Sequence, residues 1–158
     1  MTNMHKQPGM HRRRFLAIGG AAAISSVAGL RLAQAAGQAD IDAALVKLIG
    51  DKKPAEGSMI RLDLPEIAEN GNTVPLKFEI DSPMTADNYV KNVYVFADGN
   101  PNPDVASFHF TPASGKAAAS TRMRLAKTQN IVAVAEMSDG SVYKASKEVK
   151  VTIGGCGG

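Results

Sequence analysis

The only cysteine of the chain, Cys156, is the third residue from its end and has two glycines on each side. A cysteine thiolate is a nucleophile and can form a reversible bond to another sulfur atom. The glycines offer no side chain that could shield the thiol, and they leave the backbone free to adopt most conformations. The pattern predicts a flexible arm that displays a thiol to other molecules, with the cysteine mounted on Gly154, Gly155, Gly157 and Gly158.

The thiol suits three roles: a covalent carrier, a site of intermolecular disulfide bonding, or a frayed chain end. Three extended residues, from Gly154 to Cys156, reach at most about 10 Å, which is enough to enter a neighbouring protein's cleft. An unperturbed thiol has a pKa of about 8.5, and no Lys, Arg or His adjoins Cys156 in sequence. We therefore expect any enzyme that the arm visits to supply the charge, the redox centre and the water.

The rest of the chain offers little catalytic chemistry. His109 is the single histidine after the first 35 residues, and its polar position in an alternating segment predicts a solvent-facing or hydrogen-bonded side chain. Zinc and copper sites normally need several His or Cys ligands, and no phosphate-binding loop or nucleophile elbow occurs. We expect no catalytic residue, metal or cofactor, and hence no independent enzyme. Four scattered methionines are predicted to fill the core: Met59, Met84, Met123 and Met137.

Residues 1–35 are predicted to be an export signal that is removed. A basic stretch precedes an apolar run from Phe15 to Leu30, which at 16 residues is shorter than the roughly 20 that span a bilayer. Two arginines, one further residue and then Phe-Leu resemble the twin-arginine motif. We expect cleavage before Ala36 and a periplasmic location. The residues that carry this prediction are Arg12, Arg13, Phe15 and Leu16 for export, and Ala33 and Ala35 for cleavage.

Removal of this leader would reverse the charge balance. The chain has 18 Lys and Arg against 15 Asp and Glu, and five of the basic residues but no acid lie within 1–35. The remaining 13 basic residues leave a net charge of about −2. We therefore predict no nucleic-acid partner, and no membrane contact once the leader is gone.

Residues 36–153 are predicted to form one domain that positions the arm. Asp40 could cap a short helix with Ile41, Ala44, Leu45 and Leu48 on one face and Gly50 at its end. After it, apolar residues alternate with polar ones, as in half-buried strands. Turn dipeptides such as Asn70-Gly71 and Asp139-Gly140 separate these strands, and residues 98–103 are expected to be a surface loop. The fold class indicated is all-β, an antiparallel immunoglobulin-like β-sandwich with an N-terminal helix; a barrel is the competing architecture.

Individual strands are predicted from these patterns. Pro75 should lie at the start of a strand or at a sheet edge, because proline lacks a backbone donor. The expected strands are 60–64, 74–81, 93–97, 107–111, 131–135 and 149–153, of which 93–97 and 131–135 are apolar on both faces, as sandwich-centre strands tend to be.

The C-terminal segment 149–158, Val-Lys-Val-Thr-Ile-Gly-Gly-Cys-Gly-Gly, resembles the end of SoxY proteins, the sulfur carriers of the bacterial Sox thiosulfate-oxidation system. The Gly-Gly-Cys-Gly-Gly arm matches without departure. Segments 67–71, 100–103 and 108–112 are weaker corroboration across the domain, and the twin-arginine-like leader also fits the family.

The resemblance implies that Cys156 is a covalent attachment site. In the family, a haem-containing enzyme joins thiosulfate oxidatively to the arm cysteine, a hydrolase releases sulfate, and a sulfane dehydrogenase oxidises the remaining sulfane sulfur. The carrier domain is immunoglobulin-like and pairs with a second β protein, SoxZ. A heterodimer with a SoxZ-like protein and visits to these three enzymes are therefore the implied partnerships.

Two other functions remain open at this stage. An exported β-sandwich interaction module could form an intermolecular disulfide through Cys156. A ubiquitin-like sulfur carrier also ends in Gly-Gly, but its ATP-dependent activation is cytoplasmic, which the predicted export signal disfavours.

Overall fold

A computed structural model describes residues 37–155. The predicted export signal and its cleavage site lie outside the described residues. Cys156, Gly157 and Gly158 lie outside them as well. No helix within 37–155 is long and apolar enough to cross a membrane.

The predicted helix, α1, spans residues 37–49. Its buried face consists of Ile41, Leu45 and Ile49, which recur every four residues as expected for one side of a helix. Two details of the prediction are wrong. Asp40 lies inside the helix and does not cap it, because residues 37–39 before it are already helical. Leu48 is 44% exposed, since Ile49 takes the buried position.

Glycine ends the helix as predicted. Gly50 has a φ of 69°, and its N–H donates to the Val46 carbonyl at 3.0 Å. A positive φ is the conformation for which glycine is favoured after a helix.

Nine strands follow the helix within residues 50–155. The first four are β1 (Ala55–Glu56), β2 (Ile60–Asp63), β3 (Ile67–Ala68) and β4 (Val74–Ile80). The other five are β5 (Val90–Ala97), β6 (Asp104–His109), β7 (Ala117–Met123), β8 (Gln129–Met137) and β9 (Val142–Val151). A short 3-10 turn, Pro112–Ser114, lies between β6 and β7.

The strands form two sheets, which confirms the predicted β-sandwich. The larger has the order β1-β9-β8-β5-β6, and the smaller has the order β2-β4-β7. Most neighbours are antiparallel, but the two-residue strands β1 and β3 both pair with β9 in parallel. Strand β9 is therefore bonded to β8 on one side and to β1 and β3 on the other.

The inner faces of both sheets share one hydrophobic core. Strand β4 alternates as predicted, with Val74, Leu76, Phe78 and Ile80 buried. Pro75 is the second residue of β4, which confirms its place at a strand start, although β4 is the central strand of its sheet. The ring of Phe78 meets that of Phe108 edge-on at 5.0 Å. Met84, Met123 and Met137 are buried and Met59 packs against them, as predicted for core methionines.

The helix explains why two strands are apolar on both faces. Strands β5 and β8 are adjacent in the middle of the larger sheet. Their outer face carries Phe96, Val132 and Val134, which form a second buried cluster with Ile41 and Leu45 of α1. Both faces of this sheet are thus removed from water where β5 and β8 meet.

Polar side chains on three neighbouring strands of the larger sheet, β8, β5 and β6, are linked to one another and to Lys52, which follows the helix. Glu136 on β8 accepts a hydrogen bond from Asn92 Nδ2 at 2.7 Å, and it forms an ion pair with Lys52 Nζ at 3.0 Å. Asn92 Oδ1 lies 2.6 Å from Nδ1 of His109. His109 is exposed and hydrogen-bonded, as predicted.

Burial raises the pKa of Glu136, but the Asn92 hydrogen bond and the Lys52 ammonium outweigh it and hold that pKa below the ordinary value of 4.5. Burial, and then the Glu136 charge, raise the pKa of Tyr94.

This lowered pKa predicts a pH-dependent contribution to stability. A carboxylate whose pKa is depressed on folding contributes stability that is present above its unfolded pKa and lost as the pH falls through the folded one. Urea unfolding should therefore show Glu136→Gln less stable than the native chain at pH 7, with the difference shrinking between about pH 5 and pH 3. The control is Glu148→Gln, exposed on β9. If the difference in the free energy of unfolding between Glu136→Gln and the native chain stays constant over this range, the lowered pKa of Glu136 is contradicted.

Candidate functional site

The base of the arm is bound to the body of the domain by main-chain hydrogen bonds. The Gly71 N–H donates to the Ile153 carbonyl at 2.7 Å, and the Gly155 N–H donates to the Leu125 carbonyl at 2.9 Å. The Leu125 N–H in turn donates to the Gly71 carbonyl at 2.8 Å. Three segments distant in sequence are thus joined in a ring, which we call the arm seat (Gly71, Leu125, Ile153 and Gly155).

The last strand ends earlier than predicted because it loses its neighbour. We expected it to extend through Ile153, but β9 ends at Val151. Its partner β8 begins at Gln129, opposite Val149, and its other partner β3 ends at Ala68, opposite Val151, so no strand pairs with the residues after Val151. The N–H of Val151 donates to Thr128 Oγ1 at 2.9 Å, and Thr152 bonds to the Ala68 and Glu69 carbonyls. Residues 153–155 then enter the arm seat.

Glycine is required in the seat because backbones approach closely there. A Cβ atom on Gly71 would lie 2.2 Å from the Leu125 oxygen, and one on Gly154 would lie 2.2 Å from the Ala126 oxygen. A Cβ on Gly155 would lie 2.8 Å from the Gly71 oxygen. Among the glycines of 37–155, positive φ occurs at Gly50, Gly115 and Gly140 only. The turn prediction is thus confirmed for Gly140, whereas Gly71 is needed for space and not for its φ.

A side-chain network fixes the loop that forms one wall of the seat. Asn100 Nδ2 donates to the Arg124 carbonyl at 2.9 Å, and Asn100 Oδ1 accepts from the Ala126 N–H at 3.0 Å. The buried Gln129 donates from Nε2 to the same Asn100 oxygen at 2.9 Å and to the Lys127 carbonyl at 3.0 Å. Asn100 therefore holds the residues on both sides of Leu125.

The structure places the predicted arm residues as follows. Gly155 is buried, Gly154 is exposed, and Ile153 before them is 68% exposed. The flexibility of the arm and the role of Cys156 remain predictions. What sequence analysis missed is that the first two glycines have a docking place, formed by Gly71 and the loop 124–126.

The positive charges near the arm seat belong to residues that the fold brings there and not to sequence neighbours of Cys156. No basic residue adjoins Cys156 along the chain, but Arg124 and Lys127 flank the loop that binds Gly155, and both are exposed. Arg124 directly precedes Leu125 in the sequence. Within the described residues, no group of three or more His, Cys, Asp or Glu side chains could hold a metal ion.

The chain matches the family model described as sulfur oxidation protein SoxY over residues 45–156. The chain belongs to the SoxY family. The solved structure of the sulfur carrier protein SoxY from Chlorobium limicola f thiosulfatophilum is 38% identical, with a TM-score of 0.63. The similarity covers 73% of this chain and 99% of that one. No curated protein sequence matches the chain.

More distant similarity shows the fold alone. A superoxide reductase (neelaredoxin) variant from Ignicoccus hospitalis is 18% identical with a TM-score of 0.53, over 59% of this chain and 79% of that one. A hypothetical protein from Pyrococcus horikoshii is 14% identical with a TM-score of 0.50, over 66% and 99% of the two chains. These neighbours share the sandwich of this SoxY family member, and at this identity they indicate nothing about its chemistry.

Proposed function

We propose that this protein is a periplasmic sulfur carrier that holds thiosulfate-derived intermediates covalently on Cys156 and presents them to partner enzymes. The observation that carries the proposal is membership of the SoxY family by a chain whose single cysteine lies in a terminal Gly-Gly-Cys-Gly-Gly segment. The arm seat supports it, because it brings that segment out of the sheet at a defined point.

The loading step forms one sulfur–sulfur bond. The Cys156 thiol and the sulfane sulfur of thiosulfate join with release of one proton and two electrons, giving Cys–S–S–SO₃⁻. A haem-containing partner is the electron acceptor. The thiolate is the reacting form, and the partner supplies the positive charge that favours it.

Release of sulfate regenerates the carrier stepwise. A hydrolase adds water to the terminal sulfur, which leaves as sulfate and two protons while a persulfide, Cys–S–S⁻, stays on the arm. A sulfane dehydrogenase then takes six electrons from that outer sulfur into its own redox centres, while three water molecules supply the oxygen atoms and release six protons, giving Cys–S–SO₃⁻. A second hydrolysis releases this group as sulfate and one proton, and frees the thiol. The carrier keeps each intermediate attached and is a substrate of these enzymes. It is not itself an enzyme in this scheme and needs no cofactor.

The location and the pairing follow the same proposal. Export through the twin-arginine-like leader would deliver a folded carrier to the periplasm and remove residues 1–35. A SoxZ-like β protein would be the heterodimer partner. The described domain offers this partner two outermost strands, β6 in the larger sheet and β7 in the smaller one.

Intact mass of the protein isolated from the periplasm tests the proposal. We expect sulfur-containing additions that a thiol reductant removes, and tryptic digestion should place all of them on the fragment that contains Cys156. A leader absent from the mature mass would support export. A protein that shows only a symmetrical disulfide-linked dimer, with no sulfur addition after incubation with thiosulfate and the partner enzymes, would overturn the carrier function.

A further inference from the structure

We propose that Asn100 is a positioning residue for the carrier arm: it holds the loop that docks Gly155, so that the arm has a docked base with a short reach and a released base with a long one. This inference rests on the proposed function of the arm. The hydrogen bonds from which it is drawn are independent of that function.

The first step is the placement of Asn100 relative to the docking atom. The carbonyl that accepts the Gly155 N–H belongs to Leu125, and Asn100 bonds to the main chain of Arg124 and of Ala126. Both ends of the carboxamide are used, one as donor and one as acceptor, so the peptide groups flanking Leu125 cannot rotate without losing a bond. Gln129, buried behind Asn100, fixes its Oδ1 from the other side.

The second step is how little holds the arm base itself. Between Ile153 and Gly155, two main-chain hydrogen bonds connect the arm to the body. Ile153 buries little of its side chain, and the glycines have none. A segment tied by so few contacts can open locally while the rest of the domain stays folded. The residue before it, Thr152, is held more firmly by bonds from its N–H and its hydroxyl to Ala68 and Glu69.

The third step is the reach that each state allows. With Gly155 docked, Cys156 is the first residue beyond the anchor and can advance only about 3.4 Å along the chain. With residues 153–155 released, the anchor moves back to Thr152, and four residues extend to about 14 Å. Enzymes whose reacting centres lie deep in a cleft therefore require the released base.

Docking also accounts for two sequence segments whose roles were unassigned. Residues 67–71 supply the β3 pairing and Gly71, and residues 100–103 begin with the asparagine that holds the loop. Both segments converge on the arm base, although they are separated from it by more than 50 residues in sequence.

Amide hydrogen exchange on the mature protein tests the docked base directly. We expect slow exchange at Gly71 and Gly155 in the native chain. Asn100→Ala should accelerate exchange at Gly155 by about tenfold or more. The matched control is Asn102→Ala, because Asn102 lies in the same loop and, among the described residues, its side chain accepts a hydrogen bond from the Asp104 N–H at the start of β6 and makes none to residues 124–126. Unprotected Gly155 in the native chain, or equal exchange in Asn100→Ala and native protein, would overturn the proposal.

A second variant covers the case in which Asn100→Ala fails to fold. Gly154→Ala alters the arm itself, and its Cβ would lie 2.2 Å from the Ala126 oxygen, so it should undock the base without disturbing the core. Gly157→Ala controls for loss of glycine flexibility beside the cysteine. Faster exchange at Gly155 in Gly154→Ala, with unchanged exchange in the core of β8, supports the docked base, and unchanged exchange at Gly155 contradicts it.

Steady-state kinetics with a partner enzyme distinguishes a positioning role from a structural one. If the docked base must release before delivery, the apparent KM for the carrier is its intrinsic value divided by the fraction of molecules with a released base. Asn100→Ala should then lower KM with kcat unchanged. An unchanged KM despite faster Gly155 exchange would overturn the positioning role. Failure of the native chain to load sulfur would instead overturn the proposed function, while the exchange results would still decide whether the seat exists.

Discussion

Cys156→Ser is expected to abolish thiosulfate-dependent turnover in a mixture reconstituted with the partner enzymes. The hydroxyl of serine cannot form the sulfur–sulfur bond that holds the intermediate, and Cys156 is the sole cysteine of the chain. We expect the rate to fall by at least about 100-fold, since covalent attachment has no substitute in this scheme. The measurement is electron transfer to the haem-containing partner, with sulfate release as a second readout.

Assembly of the same variant separates the carrier from its main alternative. Cys156→Ser should elute with its β-protein partner as the native chain does, because a heterodimer of carrier domains does not need the arm thiol. A disulfide-linked interaction module predicts the reverse, with assembly lost and no sulfur chemistry affected. Substantial turnover by Cys156→Ser would contradict the proposed function outright.

Gly71→Ala is expected to destabilise the domain and displace the arm together. The added Cβ would lie 2.2 Å from the Leu125 oxygen and 2.6 Å from the Gly155 nitrogen, both main-chain atoms. Because neither can move without breaking the ring of hydrogen bonds, we expect a loss of about 2 kcal/mol in the free energy of unfolding, within the usual range for overpacking. Chemical denaturation measures it, and exchange at Gly155 reports the arm.

The adjacent residue provides the control for Gly71→Ala. Asn72 is exposed, and the bond from its N–H to Asn70 Oδ1 does not involve its own side chain. Asn72→Ala should therefore change stability by less than about 0.5 kcal/mol. Should the two variants behave alike, the close approach at Gly71 would not be a constraint on the protein in solution.

The sandwich was predictable because its signals are local. Alternation in β4, continuous apolar runs in β5 and β8, and Gly50 after the helix each indicate an element within a few residues. The same locality explains the errors. Asp40 was placed at the start of a helix that already includes residues 37–39, and the end of β9 depends on where its neighbours β8 and β3 stop pairing with it. Neither the helical residues before Asp40 nor the extent of strand pairing along β9 is indicated by the residues at the boundary itself.

The chemistry of Cys156 stays a prediction from the sequence, and the way the fold holds the base of the arm was not predicted at all. A lone cysteine between glycines indicates a displayed thiol from composition alone. The arm seat, in contrast, is made by residues 71, 125 and 155, whose approach follows from the whole sheet order. The only local signs were an Asn-Gly dipeptide and an asparagine in a proline-rich loop, which equally suit an ordinary turn and an ordinary surface loop.

The position of β9 between neighbours on both sides has a mechanical consequence. If the arm enters partner enzymes as proposed, its withdrawal would pull along β9. Hydrogen bonds to β8 on one side, and to β1 and β3 on the other, lie across that direction. The load is shared in shear by the whole ladder, and the bonds are not opened one after another as at a peeled sheet edge. Under the proposed function, repeated insertion and retrieval of the arm would therefore load this ladder without unravelling the domain behind it.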